Sequence, residues 1–207
     1  MGATTAKENI LKKIRKALSN PVPLPFPQSE GSATLFNPSA DELDVLFATE
    51  FTKLQGRFVY CENETSLLSQ INELIAKKEW AKIYCSHPKW NTIFSNTISL
   101  ASCDAAITGC EYLVARTGSI VLSAAEIDGR TASVYCPVHI AIAFSSQLVF
   151  DVKDALQAVK EKYKNNIPSL VTFATGPSRT ADIEKTLVTG VHGPKEVYLF
   201  LVDDKVS

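Results

Sequence analysis

Apolar residues along the chain recur with two different spacings, which predict helices alternating with short strands. In the first 20 residues four apolar positions lie three or four apart, opposite a lysine-rich face: Ile10, Leu11, Ile14 and Leu18. This is the pattern of an amphipathic helix, which can pack on its own domain or on a partner. A proline-rich run at 20–27 then excludes a helix. We predict an N-terminal helix and proline-rich linker over 1–38 and an α/β domain over 39–207.

Within that domain, the spacing predicts a series of alternating elements. The expected helices are 39–54 (capped by Ser39 or Asp41), 65–78, 88–94, 152–164 and 180–187. The expected strands are 57–61, 82–85, 104–108, 119–124, 133–135, 139–144, 169–174 and 197–202. Such alternation is typical of a parallel sheet covered by helices. The middle strands lack crossover helices between them, so some should pair antiparallel. The sequence therefore predicts a three-layer α/β fold, with a mixed sheet flanked by helices.

The charge balance bears on the class of partner. The chain has 21 basic and 22 acidic residues, and its formal net charge of -1 offers no field to attract nucleic acid or an anionic membrane. No uninterrupted apolar run reaches the roughly 18 residues that a bilayer span needs. The start of the chain also lacks the apolar core of a secretory signal. We therefore expect a cytoplasmic protein that binds neither nucleic acid nor membrane.

The cysteines indicate neither a disulfide framework nor a metal cluster. Their number is odd, and none of them forms a Cys-x-x-Cys pair: Cys61, Cys85, Cys103, Cys110 and Cys136. Iron–sulfur and zinc sites need closely spaced ligands. Three of the five, Cys61, Cys85 and Cys136, have apolar neighbours in the sequence and are expected to be buried as small hydrophobic residues. We expect this chain to bind no metal or cofactor of its own.

The segment 175–184, TGPSRTADIE, joins an apolar strand to a predicted helix and is the first candidate binding site. Ligands of α/β sheets bind beyond strand ends, near helix N-termini. There Gly176 would allow close approach, Ser178 and Thr180 could donate hydrogen bonds, and Arg179 could hold a carboxylate or phosphate. The alternative is a turn whose hydroxyl group only caps the helix. The sequence contains no Walker loop and no dinucleotide-binding glycine motif.

The histidines and one further arginine are the other candidates. His192 lies between glycines in the segment 188–194 and could act as a general acid or base. His139 opens an apolar strand, so a core role and a binding role remain open, while His87 is interpreted as a turn residue. Arg130 follows an Asp-Gly turn and could hold a carboxylate together with Arg179.

A long C-terminal stretch carries a resemblance to a known family. Residues 175–203, TGPSRTADIEKTLVTGVHGPKEVYLFLVD, resemble the C-terminal signature of the lactate utilisation protein C and LUD-domain (DUF162) family. Three shorter matches occur in the family's order: Thr117-Gly118-Ser119-Ile-Val-Leu122, Gly129-Arg130 and Cys136-Pro-Val-His139-Ile140. The resemblance covers roughly 41–203 and is strongest after Val114. The resemblance adds four residues to the substrate-binding candidates: Thr117, Gly118, Ser119 and His139.

This resemblance implies a fold similar to the sugar-phosphate isomerase and CoA-transferase superfamily. It also implies a part in oxidising L-lactate to pyruvate, as an accessory or substrate-handling subunit whose partner subunits hold iron–sulfur clusters. Two alternatives stay open: an independent enzyme on a small carboxylate or sugar phosphate, and a non-catalytic interaction module. Arg116 stands where the family more often has an acidic residue, and no glutamate lies on a matching motif. CoA transfer is therefore not favoured.

Overall fold

A computed structural model describes most of the chain, namely residues 6–19, 41–97, 99–126, 128–183, 186–190 and 192–204. The chain divides into two units, Met1–Pro38 and Ser39–Ser207. In the first unit, helix α1 (Ala6–Leu18) forms where the amphipathic pattern predicts it. The proline-rich run at 20–27 and the proposed cap Ser39 lie outside the described residues. None of the helices that the structure describes is long and apolar enough to cross a bilayer.

The second unit contains the sheets and the remaining helices. Its helices are α2 (Leu43–Lys53), α3 (Glu64–Lys78), α4 (Asn91–Phe94), α5 (Ala132–Tyr135) and α6 (Val152–Tyr163). Its strands are β1 (Arg57–Cys61), β2 (Ile83–Cys85), β3 (Ala105–Thr108), β4 (Tyr112–Val114), β5 (Ser119–Ser123), β6 (Val138–Phe144), β7 (Leu148–Val149), β8 (Val171–Ala174), β9 (Arg179–Ile183), β10 (Thr186–Thr189) and β11 (Glu196–Val202).

Five of these strands form a parallel sheet in the order β1-β11-β6-β3-β2. A second sheet, in the order β7-β4-β5-β8, combines one parallel pair with two antiparallel pairs. Strands β9 and β10 form an antiparallel pair of their own. The α/β class and the parallel sheet flanked by helices are confirmed. The expected antiparallel pairing is present, but it lies outside the parallel sheet, so one mixed sheet is replaced by separate sheets.

The alternation of side chains along β6 shows how the layers pack. Ile140 and Ile142 point to one face of the parallel sheet, where they join a core cluster with Leu67 and Ile71 of α3. The intervening alanines of β6 point to the other face, which packs on the second sheet and on α2. Helix α6 covers the outer face of the second sheet, where Ala155 joins another cluster.

Helix α2 and two shorter elements show where the sequence analysis succeeded and failed. The predicted apolar face of α2 is confirmed, because Phe47 and Phe51 are fully buried. The helix begins at Leu43 after Glu42, so the predicted cap at Asp41 is wrong. The strand expected at 133–135 is part of the short helix α5.

The helix expected at 180–187 is also wrong, because β9 and β10 occupy this stretch, apart from residues 184 and 185, which lie outside the described part. The stretch 179–189 contains several threonines and a valine, which are β-branched and suit strands.

A disulfide joins Cys103 and Cys136, which corrects the expectation that the chain holds no such bond. Their Cα atoms are 6.0 Å apart, although the residues are separated by 33 positions in the sequence. They meet because Cys103 shortly precedes β3 and Cys136 shortly precedes β6, two neighbouring parallel strands. Sequence spacing alone does not reveal this adjacency. The other cysteines are free and buried: Cys61, Cys85 and Cys110.

Candidate functional site

A cavity of about 280 Å³ lies at the carboxyl edge of the parallel sheet and is called the carboxyl-edge cavity below. Three neighbouring strands end at it. His87 follows β2, Gly109 follows β3, and Phe144 is the last residue of β6. Open α/β sheets bind ligands at this edge, because the loops that leave the strands diverge there and expose backbone and side-chain polar groups.

Two ionisable side chains reach this cavity beside Gly109. A Cβ atom placed on Gly109 would lie 3.6 Å from His87 Nε2 and 3.4 Å from Glu126 Oε1. It would also lie 3.1 Å from His87 Cδ2, which is closer than most real contacts of a Cβ atom. The glycine therefore leaves a space that an imidazole and a carboxyl group both face.

The surroundings of His87 fix both its charge and its tautomer. Burial and the nearby charge of Lys89 lower the pKa of His87 below its usual 6.5, so the ring is neutral near pH 7. The backbone amide of Lys89 donates a hydrogen bond to Nδ1 over 3.2 Å. In the neutral ring the proton is then on Nε2, the atom that faces the cavity. His87 is thus a neutral hydrogen-bond donor.

Glu126 carries a proton at a much higher pH than an ordinary glutamate. Burial, reinforced by the negative charge of Glu111, raises its pKa from the usual 4.5 to about 7, while the positive charge of Lys162 acts in the opposite direction. Near neutral pH the carboxyl group therefore exchanges its proton readily, which is the property of groups that take part in proton-coupled binding or catalysis.

Glu111 lies behind the cavity wall and is held by hydrogen bonds from two neighbouring elements. Its side chain is fully buried and accepts from Lys162 Nζ and from Tyr163 Oη, both at 2.6 Å, and from Ser123 Oγ. Burial alone would raise the pKa of Glu111, but these hydrogen bonds hold it below its usual value. The environments of Glu111 and Glu126 thus move their pKa values apart, a pattern found at acid–base sites.

Gln147 connects the two strands that form the floor of the cavity. Its Nε2 atom donates to the Cys110 carbonyl over 2.6 Å, and its Oε1 atom accepts from the Phe144 amide over 2.7 Å. One side chain therefore fixes the end of β6 relative to the loop after β3. This link fixes the backbone next to Gly109.

The two glycines of the family-like motifs serve backbone packing. Gly118 and Gly176 have positive φ angles of 58° and 82°. A Cβ atom on Gly118 would lie 2.5 Å from the Phe51 amide nitrogen, and one on Gly176 would lie 2.5 Å from the Leu54 carbonyl oxygen. Both positions therefore allow the end of α2 to approach closely.

Beside Gly118, the hydroxyl groups of Thr117 and Ser119 form a hydrogen bond of 2.7 Å with each other. Arg116, the residue before this turn, forms an ion pair of 2.6 Å with Asp151, the N-cap of α6. This pairing lowers the pKa of Asp151. Arg116 thus anchors α6.

His192 lies at the opposite, amino edge of the parallel sheet. It is exposed and lines a second cavity of about 480 Å³, together with Pro137 and Lys195. Ser178 reaches the same loop, because its amide donates to the Pro194 carbonyl and its carbonyl accepts from the Gly190 amide, both over 2.9 Å. The structure thus brings Ser178 near the His192 loop, away from the carboxyl-edge cavity. The side chain of Thr180 lies outside the described part.

His139 and the two arginines do not converge with these groups. His139 is buried in β6, where its Nε2 atom lies 2.8 Å from Thr108 Oγ1, and burial lowers its pKa to about 4. Arg130 is exposed and donates to Ser169, which precedes β8. Arg179 is exposed in β9, beyond the other end of β8. The two arginines therefore lie at opposite ends of one strand, and their binding roles remain predictions.

Sequence reasoning missed the residues of the carboxyl-edge cavity. It interpreted His87 as a turn residue and singled out neither Glu126 nor Glu111. A usable signal existed for His87, because the residue after a predicted parallel strand lies at the carboxyl edge. In the described part of the chain, no group of three or more histidine, cysteine, aspartate or glutamate side chains could hold a metal ion.

Comparison with known proteins identifies relatives over much of the second unit. The chain is 37% identical over 101 residues to lactate utilization protein C of Bacillus subtilis, which covers 48% of this chain and 42% of that protein. It is 34% identical over 119 residues to an uncharacterized protein of Neisseria meningitidis serogroup B, covering 57% of this chain and 48% of the other. The chain thus spans less than half the length of these curated relatives.

A solved structure and a family model complete the comparison. The fold is similar to that of a DUF162 family protein from Deinococcus radiodurans, with a TM-score of 0.58 and 19% identity. That similarity covers 77% of this chain and 96% of the other. The LUD domain model matches residues 87–202, which begin at the cavity histidine and end with β11. Because this match covers more than half of its length, the chain belongs to the LUD-domain family.

Proposed function

We propose that this chain binds a small hydroxy acid in the carboxyl-edge cavity, as the substrate-handling subunit of an L-lactate utilisation system. The observation that carries the proposal is that His87 and Glu126 both lie beside the Cβ position of Gly109 in this cavity. With His87 neutral and Glu126 protonated, both side chains are uncharged donors. A carboxylate can accept hydrogen bonds from both, and its hydroxyl group can use the backbone at the strand ends.

The names of the relatives support lactate as the ligand, since several are lactate utilization protein C. Oxidation of L-lactate to pyruvate releases two electrons and two protons. In this proposal the partner subunits take the electrons on their iron–sulfur clusters, and this chain positions the acid. The proposal also includes a cytoplasmic location and the finer fold assignment to the sugar-phosphate isomerase and CoA-transferase superfamily, which the parallel sheet and its carboxyl-edge cavity support.

The test is lactate-dependent dye reduction by the partner proteins, with and without the full chain, and a pull-down from the same mixture. We expect activity to depend on the chain and to be lost with His87→Ala or Glu126→Ala, because each variant removes one of the two hydrogen-bond donors. The matched control is Glu161→Ala, because this exposed residue of α6 lies outside the cavity. Full activity without the chain, and no association, would exclude the proposal.

The amino-edge cavity supports a second candidate, an independent enzyme acting on a small carboxylate or sugar phosphate. His192 and Lys195 line that cavity and could bind an anion. The variants His192→Ala and Arg130→Ala separate the two candidates in the same assays. If either abolishes ligand binding while His87→Ala retains it, the site lies where the sequence analysis placed it. A metabolite screen with no ligand and no turnover would exclude the independent enzyme.

A further inference from the structure

Glu111 differs from the other buried residues around the carboxyl-edge cavity, because it is a fully buried carboxylate with three hydrogen-bond donors. Lys162 and Tyr163 donate to it from the end of α6, each over 2.6 Å, and Ser123 donates from the end of β5. The carbonyl of Ser123 accepts from the backbone amide of Glu126 over 3.4 Å, so Ser123 links Glu111 to a residue that lines the cavity. Burying a charge is costly, and even a buried ion pair with good hydrogen bonds is weak evidence for a role in stability.

The donors fix the carboxylate of Glu111 in one position. Lys162 and Tyr163, adjacent residues near the end of α6, donate to different oxygens of this carboxylate, Oε2 and Oε1, so both oxygens are held. The Glu111 side chain has no exposure, whereas the Lys162 side chain is 50% exposed. The negative charge therefore lies inside the protein, and its positive partner lies at the surface, where water screens it more strongly.

We propose that Glu111 is a positioning residue for the carboxyl-edge cavity: its fixed negative charge adds to the effect of burial in keeping a proton on Glu126 while the cavity is empty, and Lys162 limits this effect. The inference rests on the proposed function for its choice of cavity. Its test uses the ligand-free chain and does not depend on the proposed function. It assigns a role to a residue that no ligand in the cavity needs to touch.

The charges that act on Glu126 are few and have known signs. Glu111, in the loop after β3, favours the protonated form, whereas Lys162 of α6 favours the carboxylate. His87, which lies beside the same Cβ position of Gly109 as Glu126, is neutral near pH 7 and adds no charge. Burial is the largest cause of the raised pKa of Glu126, and the charge of Glu111 adds to it.

A protonated Glu126 explains how an anion could enter this cavity. Of the described residues that line it, none is a lysine or an arginine. If Glu126 were ionised, its negative charge would therefore repel a carboxylate ligand in this low-dielectric site. With the proton in place, Glu126 donates instead of repelling. The affinity for a carboxylate should then fall about tenfold for each pH unit above the pKa of Glu126.

The experiment follows the carboxyl titrations by NMR in the ligand-free full chain labelled with ¹³C at the glutamate side chains. Glu126→Gln identifies the resonance of Glu126, which we expect to titrate near pH 7 in the wild type. In Glu111→Gln the titration should fall toward the usual 4.5. The matched control Glu161→Gln carries a neutralised carboxyl group on the surface of α6 and should leave the titration unchanged.

A second variant keeps the inference testable if Glu111→Gln does not fold. Lys162→Gln removes the cation that favours both carboxylates, so the titrations of Glu111 and Glu126 should both move to higher pH. If Glu111 had only a structural role, the titration of Glu126 would not move to lower pH in Glu111→Gln and to higher pH in Lys162→Gln. An ordinary titration of Glu126 in the wild type, or one that neither variant moves, would overturn the inference. Lactate-dependent dye reduction separately decides the proposed function.

Discussion

Glu126 and His139 are two buried groups whose contributions to the pH dependence of stability should oppose each other. The folded-state pKa of Glu126, about 7, is raised above 4.5, so its contribution is fully present below pH 4.5 and is lost as the pH rises through 7. The folded-state pKa of His139, about 4, is depressed below 6.5. Its contribution is present above pH 6.5 and is lost as the pH falls through 4.

The magnitudes follow from these displacements. As the pH rises from 5 to 7, the raised pKa of Glu126 should lower the free energy of unfolding by about 2 kcal/mol. Over the same range the depressed pKa of His139 should increase it by about 2 kcal/mol. The two contributions nearly cancel in the wild type. Glu126→Gln removes the first and leaves the second. The difference in unfolding free energy between variant and wild type should therefore change by about 2 kcal/mol across this range.

The assay is urea unfolding at pH 5, 6 and 7, followed by the fluorescence of Trp80 and Trp90. Trp90 is buried in the core, so its emission should report on unfolding of the second unit. Relative to the wild type, Glu126→Gln should gain stability as the pH rises. The exposed control Glu161→Gln should follow the wild type in parallel. Parallel profiles for Glu126→Gln would refute the assignment of a raised pKa to this residue.

Three further predictions concern the disulfide and two glycines. Replacing Cys103 and Cys136 by serine should lower the free energy of unfolding by about 3–4 kcal/mol, as expected for a 33-residue separation, and urea unfolding would show no change if the bond does not form. Gly118→Ala should cost at least about 2 kcal/mol in a thermal melt, because its φ is 58° and its Cβ atom would meet Phe51. Gly109→Ala should weaken lactate binding about tenfold by calorimetry with little loss of stability, because the added Cβ atom enters the space beside His87; unchanged binding would place the ligand elsewhere.

The elements that the sequence predicted correctly are those whose pattern reflects burial directly. Strand β11 is a continuous apolar run because it lies inside the parallel sheet, with helices on one face and the second sheet on the other. Helix α3 shows a clear apolar stripe and an asparagine N-cap, Asn63, whose side chain accepts from the Ser66 amide. Local information is sufficient in both cases.

The errors arise where distant contacts decide the local structure. The stretch that forms β9 and β10 has apolar spacings that a helix also accommodates, and the antiparallel pairing of the two strands, for example of Thr189 with Arg179, decides for strands. Similarly, the second sheet depends on β5 pairing with both β4 and β8. Nothing in the spacing of its residues indicates that β5 leaves the parallel sheet.

In the candidate site, too, the sequence could place some residues and not others. His87 and Gly109 follow predicted strands, and the parallel sheet alone would have placed them at one edge. Glu126 could not be found in this way, because it follows β5, which belongs to the second sheet, and reaches the cavity only through the packing of the two sheets. The raised pKa of Glu126 depends first on burial and then on the charge of Glu111, and both are properties of the assembled fold.

The disulfide between Cys103 and Cys136 also has a topological consequence. It closes a covalent ring that contains β3, β4 and β5, and with them Gly109, Glu111 and Glu126. A single proteolytic cut inside this ring, for example at the exposed Ala125, would leave one covalently connected molecule until the bond is reduced. The parts of the carboxyl-edge cavity that come from β3 and from Glu126 would thus remain attached to each other after backbone cleavage between them.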